Sequence, residues 1–332
     1  MAKPPTEPLP PRNPVRCWRQ ESPGGLQNFG DYLTELFLAE MLALPRCPAD
    51  AFHLIGSVIH EPKLYRTLDE VGADPATAKV AFWGCGLRSE TPMSKAARER
   101  SAFFGVRGPL TRSILGLPAD TVLGDPGLLL PLLQPTPLQR HGRTVCITHF
   151  NEKRPPSELR AETSADEVVT AAIAPRMDAI RSMIDQIAGP GFILSGSLHG
   201  AIAACAFGVP FAFYDSGYID VPFKWRDFAA SVGVPCAFAS SVQEGQALYR
   251  DKIAPALRVP PLLPILMQSP FSVVPEVLIK ALRTDGRRLG SDRGEANHDL
   301  IEPSGFRAMR MAAQSRWSDA CHVQHHTGSG TD

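Results

Sequence analysis

Residues 191–210, GFILSGSLHGAIAACAFGVP, change from an apolar run to a run of small residues within a few positions. Phe192–Leu194 has the short apolar character of a buried strand, and Leu198–Phe207 is rich in alanine, which favours a helix. The connection Ser195-Gly196-Ser197 is followed almost at once by His199. The stretch therefore predicts a strand-to-helix turn with a titratable imidazole in the first turn of the helix.

Strand-like and helix-like segments alternate on both sides of this turn, as is typical of parallel α/β units. The predicted strands are Val15–Trp18, Phe52–Ile59, Lys79–Trp83, Ala102–Val106, Thr121–Leu123, Arg143–Thr148, Val168–Ile173, Phe192–Leu194 and Pro210–Tyr214. The predicted helices are Asp31–Leu44, Pro109–Leu115, a helix with Met177, Ile180, Ile184 and Ile187 on one face, Leu198–Phe207 and Lys224–Val232.

This order predicts an α/β fold with two Rossmann-like domains that face a central cleft at the carboxyl ends of their strands. We expect a disordered N-terminus at 1–13, an N-terminal domain at 14–134 and a C-terminal domain at 135–284. The polar segment 285–332 is expected to be a partly disordered tail, with a short helix at Phe306–Trp317.

Composition excludes several classes of partner. Lys+Arg and Asp+Glu both number 34, so no net field attracts nucleic acid or an anionic membrane. The 7 cysteines are scattered without a CxxC pair, which indicates a reducing compartment. No apolar run reaches the ~20 residues of a membrane span, and MAKPPTEPLPPR lacks the apolar core of a signal peptide. We therefore predict a cytoplasmic protein whose membrane contacts, if any, are peripheral.

Known cofactor and metal motifs are missing from the sequence. It contains no GxxxxGK[ST] phosphate loop, no HExxH, no Cys/His zinc spacing and no GxGxxG. We expect neither a metal nor a dinucleotide cofactor.

The turn before His199 is the first candidate site. Backbone N–H groups at a helix start form an anion site, with Ser197 as the N-cap and Gly196 allowing close approach. An anion bound beside His199 would keep its imidazole protonated, as a proton donor requires. The alternative is a first-turn histidine that only hydrogen-bonds a loop carbonyl.

Two basic stretches could hold an anion. Arg107 follows a strand and precedes a Gly-Pro helix start, so its guanidinium is expected at the carboxyl end of the strand, where it could bind a carboxylate or phosphate; a surface ion pair is the alternative. Arg112 lies one turn further on, and a solvated helix position is the simpler interpretation. Lys224, in FKWRD, opposes the dipole of its helix, which indicates a bound anion or a carboxylate partner; a surface cation is the alternative.

A polar loop lies before the first helix. Asn28, Gly30 and Asp31 either contact an acceptor hydroxyl or serve only as a helix start with Asp31 as its N-cap. Asp125, in Gly-Asp-Pro, is interpreted as a turn cap before Pro126.

Taken together and in this order, NFGD (28–31), FFGVRGPLTRSILG (103–116), LGDPGLLLP (123–131), SGSLHGAIAACAFGVP (195–210) and FKWRDF (223–228) resemble the polysaccharide pyruvyl transferase family. The resemblance implies a GT-B-like fold and transfer of the three-carbon unit of phosphoenolpyruvate onto a sugar as a ketal, with release of phosphate. Phosphoenolpyruvate is then the donor substrate, and no cofactor is needed. The implied acceptor is a saccharide, commonly lipid-linked, which puts the work at the inner face of the membrane.

The resemblance also assigns roles to residues. It implies His199 as the acid that protonates the enol methylene, with Arg107 and Lys224 holding the anionic groups near Gly196, Ser197 and Leu198. Asp31 is an acceptor-side base, and Asn28, Gly30 and Arg112 are further candidates for substrate binding. Some relatives carry arginine directly before the Leu-His pair, where this chain has Ser197, so the missing charge must come from elsewhere.

Two other functions stay open from the sequence. A nucleotide-sugar glycosyltransferase of the GT-B type could use the same two-domain frame. A carbohydrate- or anion-binding relative without turnover is the other, and Ser197 is the feature that favours it.

Overall fold

The computed structural model describes residues 15–17, 25–134 and 139–291. The predicted N-terminal segment 1–13, the helix Phe306–Trp317 and the rest of the tail beyond residue 291 lie outside the described residues. The predicted strand Val15–Trp18 lies partly outside them, since Trp18 is not described; its described residues form a single bridge, between Val15 and Phe52.

Twelve strands form the sheets of the described part. They are β1 Gln27–Asn28, β2 Leu42–Pro45, β3 Ala51–His53, β4 Val80–Trp83, β5 Ser101–Phe104, β6 Thr144–Thr148, β7 Glu167–Thr170, β8 Ala172–Ile173, β9 Phe192–Ser195, β10 Phe211–Tyr214, β11 Phe238–Ala239 and β12 Phe271–Val273.

The helices of the described part connect and cover these strands. They are α1 Phe29–Glu40, α2 Glu61–Val71, α3 Lys95–Glu99, α4 Pro109–Ile114, α5 Leu130–Leu133 behind a 3-10 turn at Pro126–Leu129, α6 Pro156–Thr163, α7 Met177–Ala188, α8 Leu198–Ala206, α9 Pro222–Ser231, α10 Val242–Leu248 continued by a π turn at Tyr249–Ile253, α11 Ala254–Ala256, α12 Leu262–Met267 and α13 Pro275–Ser291.

The N-terminal half contains a three-stranded parallel sheet of order β3-β4-β5. Single parallel bridges extend it, Val15 with Phe52 on one side and Val106 with Leu123 on the other. The predicted strand Phe52–Ile59 is too long, because regular pairing ends at His53 and the chain then turns through Gly56 with φ +104°. The predicted strand at Thr121–Leu123 is likewise reduced to one bridge.

The C-terminal half contains a five-stranded parallel sheet of order β11-β10-β9-β6-β7. Helix α7 buries Ile180, Ile184 and Ile187, so the predicted apolar face is confirmed. The predicted strand Val168–Ile173 is divided, because β7 joins this sheet whereas β8 leaves it and pairs antiparallel with β1 of the other half.

The last described segments return to the N-terminal half. Strand β12 pairs with β2, and the indole Nε1 of Trp83 donates to the carbonyl of Ile265 at 3.0 Å. Helix α13 continues across residue 284, and its Asp285 accepts hydrogen bonds from the amides of Leu262 and Leu263 at 2.9 and 2.8 Å. The chain therefore crosses twice between the halves.

One apolar cluster runs through both halves, from Phe37 and Trp83 to Ile193 and Phe213. A smaller cluster lies on the outer side of the N-terminal sheet and includes Val80 and Phe82. Successive strand residues point to opposite faces, so Trp83 and Phe82 reach different clusters. Across the residues that the structure describes, no helix combines the length and apolarity needed to cross a bilayer.

Candidate active site

The predicted strand-to-helix turn is confirmed. Strand β9 ends at Ser195 and helix α8 begins at Leu198, with Ser197 as the N-cap whose Oγ accepts from the amide of Gly200 at 3.4 Å. Ser197 and Leu198 are each only 4% exposed. The hydroxyl of Ser195 donates to the carbonyl of Ser197 at 2.7 Å, which closes the turn.

Two glycines of the turn differ in their surroundings. A Cβ on Gly200 would lie 2.6 Å from Oγ of Ser195, so the helix packs on the strand only with glycine there. A Cβ on Gly196 would meet Tyr214 at an ordinary 3.4 Å. Packing against Ser195 therefore explains why residue 200 is a glycine. It does not explain the glycine at position 196, which stays a candidate for the predicted ligand contact.

The His199 side chain lies between the two halves. It is 9% exposed, and its Nε2 lies 3.6 Å from Oδ2 of Asp125, which is fully buried in the N-terminal half. On its other side the ring rests on helix α1, where a Cβ on Gly30 would stand 1.8 Å from Nδ1. Gly30 is thus required by the imidazole itself.

The structure corrects the start of helix α1. The helix begins at Phe29 rather than at Asp31, so Gly30 is its second residue and the N-cap is Asn28. Asp31 is not a cap, because it already lies within the first turn. Its Oδ2 instead accepts a 2.6 Å hydrogen bond from Nδ2 of Asn28.

The Asp31 carboxyl is in an unusual electrostatic position. Burial raises its pKa, while the charges of His199 and Lys224 and the hydrogen bond from Asn28 act in the opposite direction. A carboxyl raised in this way comes closer to the pKa that suits proton transfer near neutral pH.

Arg107 follows strand β5 as expected, but its ion pair is not the surface pair of the alternative interpretation. Its side chain is fully buried, its Nη1 donates to Ser57 Oγ at 2.9 Å, and its Nε lies 3.5 Å from Oδ2 of Asp227. Among the residues that the structure describes, neither Nε nor Nη2 has a hydrogen-bond partner. A Cβ on Gly86 would stand 2.1 Å from Nη2, so glycine makes room for the guanidinium.

Asp227 joins the halves. It lies on α9 and accepts from the amide and the hydroxyl of Thr111 at 3.0 and 2.7 Å. Thr111 is the third residue of α4, so the carboxylate of one half caps a helix of the other.

Lys224 has a carboxylate partner, one of the two outcomes predicted for a cation at a helix start. Its ammonium pairs with Asp220, and its side chain is 13% exposed. Burial lowers the Lys224 pKa, against the opposing effect of Asp220. The same carboxylate lies 3.7 Å from His149 Nε2, and the Asp220 pKa is lowered first by this histidine and further by Lys224.

The segment that carries Asp220 has a strained backbone. Val221 adopts φ +48°, a left-handed conformation that is rare for a β-branched residue, immediately before helix α9. Such strain costs of the order of 1–3 kcal/mol and concentrates at functional sites.

Arg112 is separate from the other predicted residues. Its Nη1 donates to the carbonyl of Ala119 at 2.6 Å, at the far end of its helix. The predicted charged side chains other than Arg112 form one electrostatic group. His199 and Lys224 both act on Asp31, and Arg107 acts on Lys224.

Sequence reasoning missed three members of this group: Asp125, His149 and Asp220. Asp125 was interpreted only as a turn cap, and its Oδ1 does accept from Gly127 N at 2.8 Å. His149 directly follows β6, so its place after a parallel strand was a signal that could have found it. Asp220 stands four residues before Lys224, and no pattern in the sequence marks it.

Other parts of the described chain do not compete as the site. An open cavity of about 920 Å³ lies at the amino ends of β6 and β7, lined by Arg143, Arg160 and Glu167 among others. Open α/β sheets bind ligands at their carboxyl ends, where His199 lies. Within the described ranges, no three His, Cys, Asp or Glu side chains are grouped to hold a metal ion.

Fold and site together define an α/β protein with an acid–base cluster where the carboxyl end of one parallel sheet meets the other half. Residues 60–218 match the model of the polysaccharide pyruvyl transferase family. The match confirms the resemblance seen in the sequence, over slightly less than half of the chain. It includes Arg107, Asp125 and His199, whereas Asn28–Asp31 and Lys224 lie outside it.

A curated relative is the succinoglycan biosynthesis protein ExoV of Rhizobium meliloti (strain 1021). It is 31% identical over 134 residues, which are 39% of this chain and 40% of the relative. The match thus spans well under half of either protein. No solved structure matches this chain.

Proposed function

We propose that this protein transfers the pyruvyl group of phosphoenolpyruvate to a sugar of an exopolysaccharide precursor and forms a ketal. The observation that carries the proposal is the position of His199: a nearly buried imidazole at the start of α8, between Gly30 and Asp125 of the other half. The family match over residues 60–218 supports the reaction class, and the name of the relative, a succinoglycan biosynthesis protein, supports a polysaccharide as the product.

The reaction needs a proton donor and a proton acceptor. Protonation of the enol methylene gives a methyl group and a carbocation-like carbon beside the carboxylate. One sugar hydroxyl attacks that carbon, the carbon–oxygen bond to phosphate breaks, and a second hydroxyl closes the ketal. Two hydroxyl protons are released; they balance the proton added to carbon and the one carried off by phosphate.

His199 is the acid in this scheme, and Asp31 is the base for an acceptor hydroxyl. An acid that is positioned in this way contributes about 10²–10⁴ in rate. The raised pKa of Asp31 supports its role, since a carboxyl with an ordinary pKa would be a weaker base. Asn28 holds the Asp31 carboxyl, and Gly30 leaves space for the imidazole.

The donor carries a carboxylate and a phosphate, so several hydrogen-bond donors are needed at one place. We assign the backbone around Gly196, Ser197 and Leu198 to one anionic group, because a helix N-terminus favours negative charge. Lys224 supplies the cation. Arg107 contributes through its unpaired Nη2, and a direct contact requires a movement that opens its buried site.

We infer in addition a GT-B-like arrangement of two Rossmann-like halves. Two parallel sheets with the acid–base group between them support this arrangement. The acceptor is then a saccharide, lipid-linked as is common in such pathways, and the protein works in the cytoplasm at the inner face of the membrane.

The test is incubation with phosphoenolpyruvate and a panel of lipid-linked and synthetic oligosaccharides. We expect acceptor-dependent phosphate release and a product heavier by one pyruvate less one water. Transfer from nucleotide sugars alone would instead identify a glycosyltransferase. Saccharide binding without turnover, in parent and His199→Gln alike, would favour a binding protein.

A further inference from the structure

Asp125 is buried more completely than a turn cap requires. It precedes the 3-10 turn Pro126–Leu129, has no exposed surface, and uses Oδ1 to accept from the amide of Gly127. Its Oδ2 has no hydrogen-bond partner in the part of the chain that the structure describes. The capping hydrogen bond therefore accounts for only one of the two carboxylate oxygens.

Oδ2 of Asp125 faces the imidazole of His199. Nε2 of His199 is also buried, has no hydrogen-bond partner within the described ranges, and lies 3.6 Å from Oδ2 of Asp125. Leaving either buried group unpaired is energetically costly, and more so when the group is charged. The gap is slightly longer than a hydrogen bond, as is common for catalytic pairs before a substrate is bound.

The two nitrogens of the His199 ring have different neighbours. Gly30 lies at Nδ1, and a Cβ on Gly127 would stand 3.9 Å from Cδ2 of His199. Nε2 is buried, so Nδ1 is the ring nitrogen left to meet a ligand.

We propose that Asp125 is the positioning residue of His199: it accepts the Nε2 proton and so makes Nδ1 the nitrogen that delivers a proton to the substrate. The carboxylate also stabilises the positive charge of the imidazolium. This inference rests on the proposed function for its chemistry, but the pairing of the two side chains can be tested without turnover.

Asp125→Asn is the sharpest variant. Asparagine keeps the size and the Oδ1 that accepts from Gly127, so its amide Nδ2 must face the imidazole. Nε2 then has to accept a hydrogen bond rather than donate one. We expect the neutral ring to change from the Nε2–H tautomer to the Nδ1–H tautomer.

The tautomer is measured by ¹⁵N NMR of histidine-labelled protein, with the His199 signal assigned by its loss in His199→Gln. Asp227→Asn is the matched control, another fully buried carboxylate between the halves; its His199 tautomer should match the parent. An unchanged tautomer in Asp125→Asn would overturn the proposal. If Asp125→Asn does not fold, Asp125→Ser keeps a capping oxygen without the carboxylate, and a kcat within a few-fold of the parent there would equally overturn the proposal.

Kinetics give a second readout. In Asp125→Asn we expect kcat to fall at least about tenfold while the KM for phosphoenolpyruvate stays within about threefold, as for loss of an orienting partner. A raised KM with unchanged kcat would contradict a positioning role. If the parent shows no turnover with any acceptor, the proposed function fails, and the tautomer alone decides the role of Asp125.

Discussion

The guanidinium of Arg107 and the carboxylate of Asp227 form a fully buried ion pair between the two halves of the protein, with Nε and Oδ2 3.5 Å apart. Arg107 also donates a hydrogen bond to the hydroxyl of Ser57, and Asp227 accepts one from the amide of Thr111. Ion pairs of this kind gain little over apolar packing, but removing one partner is costly because a charge is left buried and unpaired.

We therefore expect Arg107→Ala to act first on stability. The free energy of unfolding should fall by about 3–5 kcal/mol in urea titrations. Arg226→Ala is the matched control, because Arg226 also pairs across the halves, with Glu90, but both side chains are about half exposed or more. That control should cost no more than about 1 kcal/mol. Similar losses for the two variants would show that burial does not set the energy of the Arg107 pair.

We expect Gly30→Ala to lower activity, although alanine has a higher helix propensity than glycine. Gly30 lies inside α1, where alanine would normally stabilise by about 1 kcal/mol. Its Cβ would, however, stand 1.8 Å from Nδ1 of His199, so the imidazole has to leave its place. We expect pyruvyl transfer to fall at least tenfold, with the helix intact by circular dichroism.

Gly142→Ala serves as the control for this substitution, since no described residue lies within 4 Å of its Cβ position. Its activity should equal that of the parent. If Gly30→Ala also kept parental activity, the close contact between α1 and the imidazole would not be needed for function.

The turn around His199 could be predicted from the sequence because its signals are local. The apolar run, the Ser197 cap and the small residues of α8 each specify the same strand-to-helix turn, and the structure has it within one or two residues. Helix α7 was predictable for the same reason, from the spacing of its isoleucines.

The surroundings of Arg107 could not be predicted, because they depend on contacts between distant segments. The sequence suggests an arginine at the end of a strand, whereas the structure buries it against Asp227, 120 positions later. The start of α1 was misplaced for a related reason. Asp31 has the chemistry of a cap, but Phe29 is drawn into the core and the helix begins there.

His199→Gln tests the acid directly. Glutamine keeps a polar side chain but cannot donate a proton of suitable acidity, so kcat should fall about 10²–10⁴-fold. His141→Gln is the control, since this exposed histidine lies at the amino end of β6. A loss of only a few-fold in His199→Gln would remove the residue from the role of acid.

His53 should make stability depend on pH. Its Nε2 is 2.9 Å from the hydroxyl of Thr67, its ring stacks on Phe82, and burial lowers its pKa from 6.5 to about 3. Between these values the unfolded chain binds a proton that the folded protein does not, so stability is lost as the pH falls. The contribution of His53 amounts to about 2 kcal/mol between pH 7 and pH 5.

The measurement is the free energy of unfolding in urea at several pH values, for the parent and for His53→Gln. The variant cannot titrate, so its stability should fall less steeply below pH 6.5 even if it is less stable throughout. The difference between the two curves isolates His53 from the other titrating groups, among them Asp31, whose raised pKa acts with the opposite sign. Parallel curves would mean that His53 binds its proton equally well in the folded and unfolded chain, which its buried place between Thr67 and Phe82 should not permit.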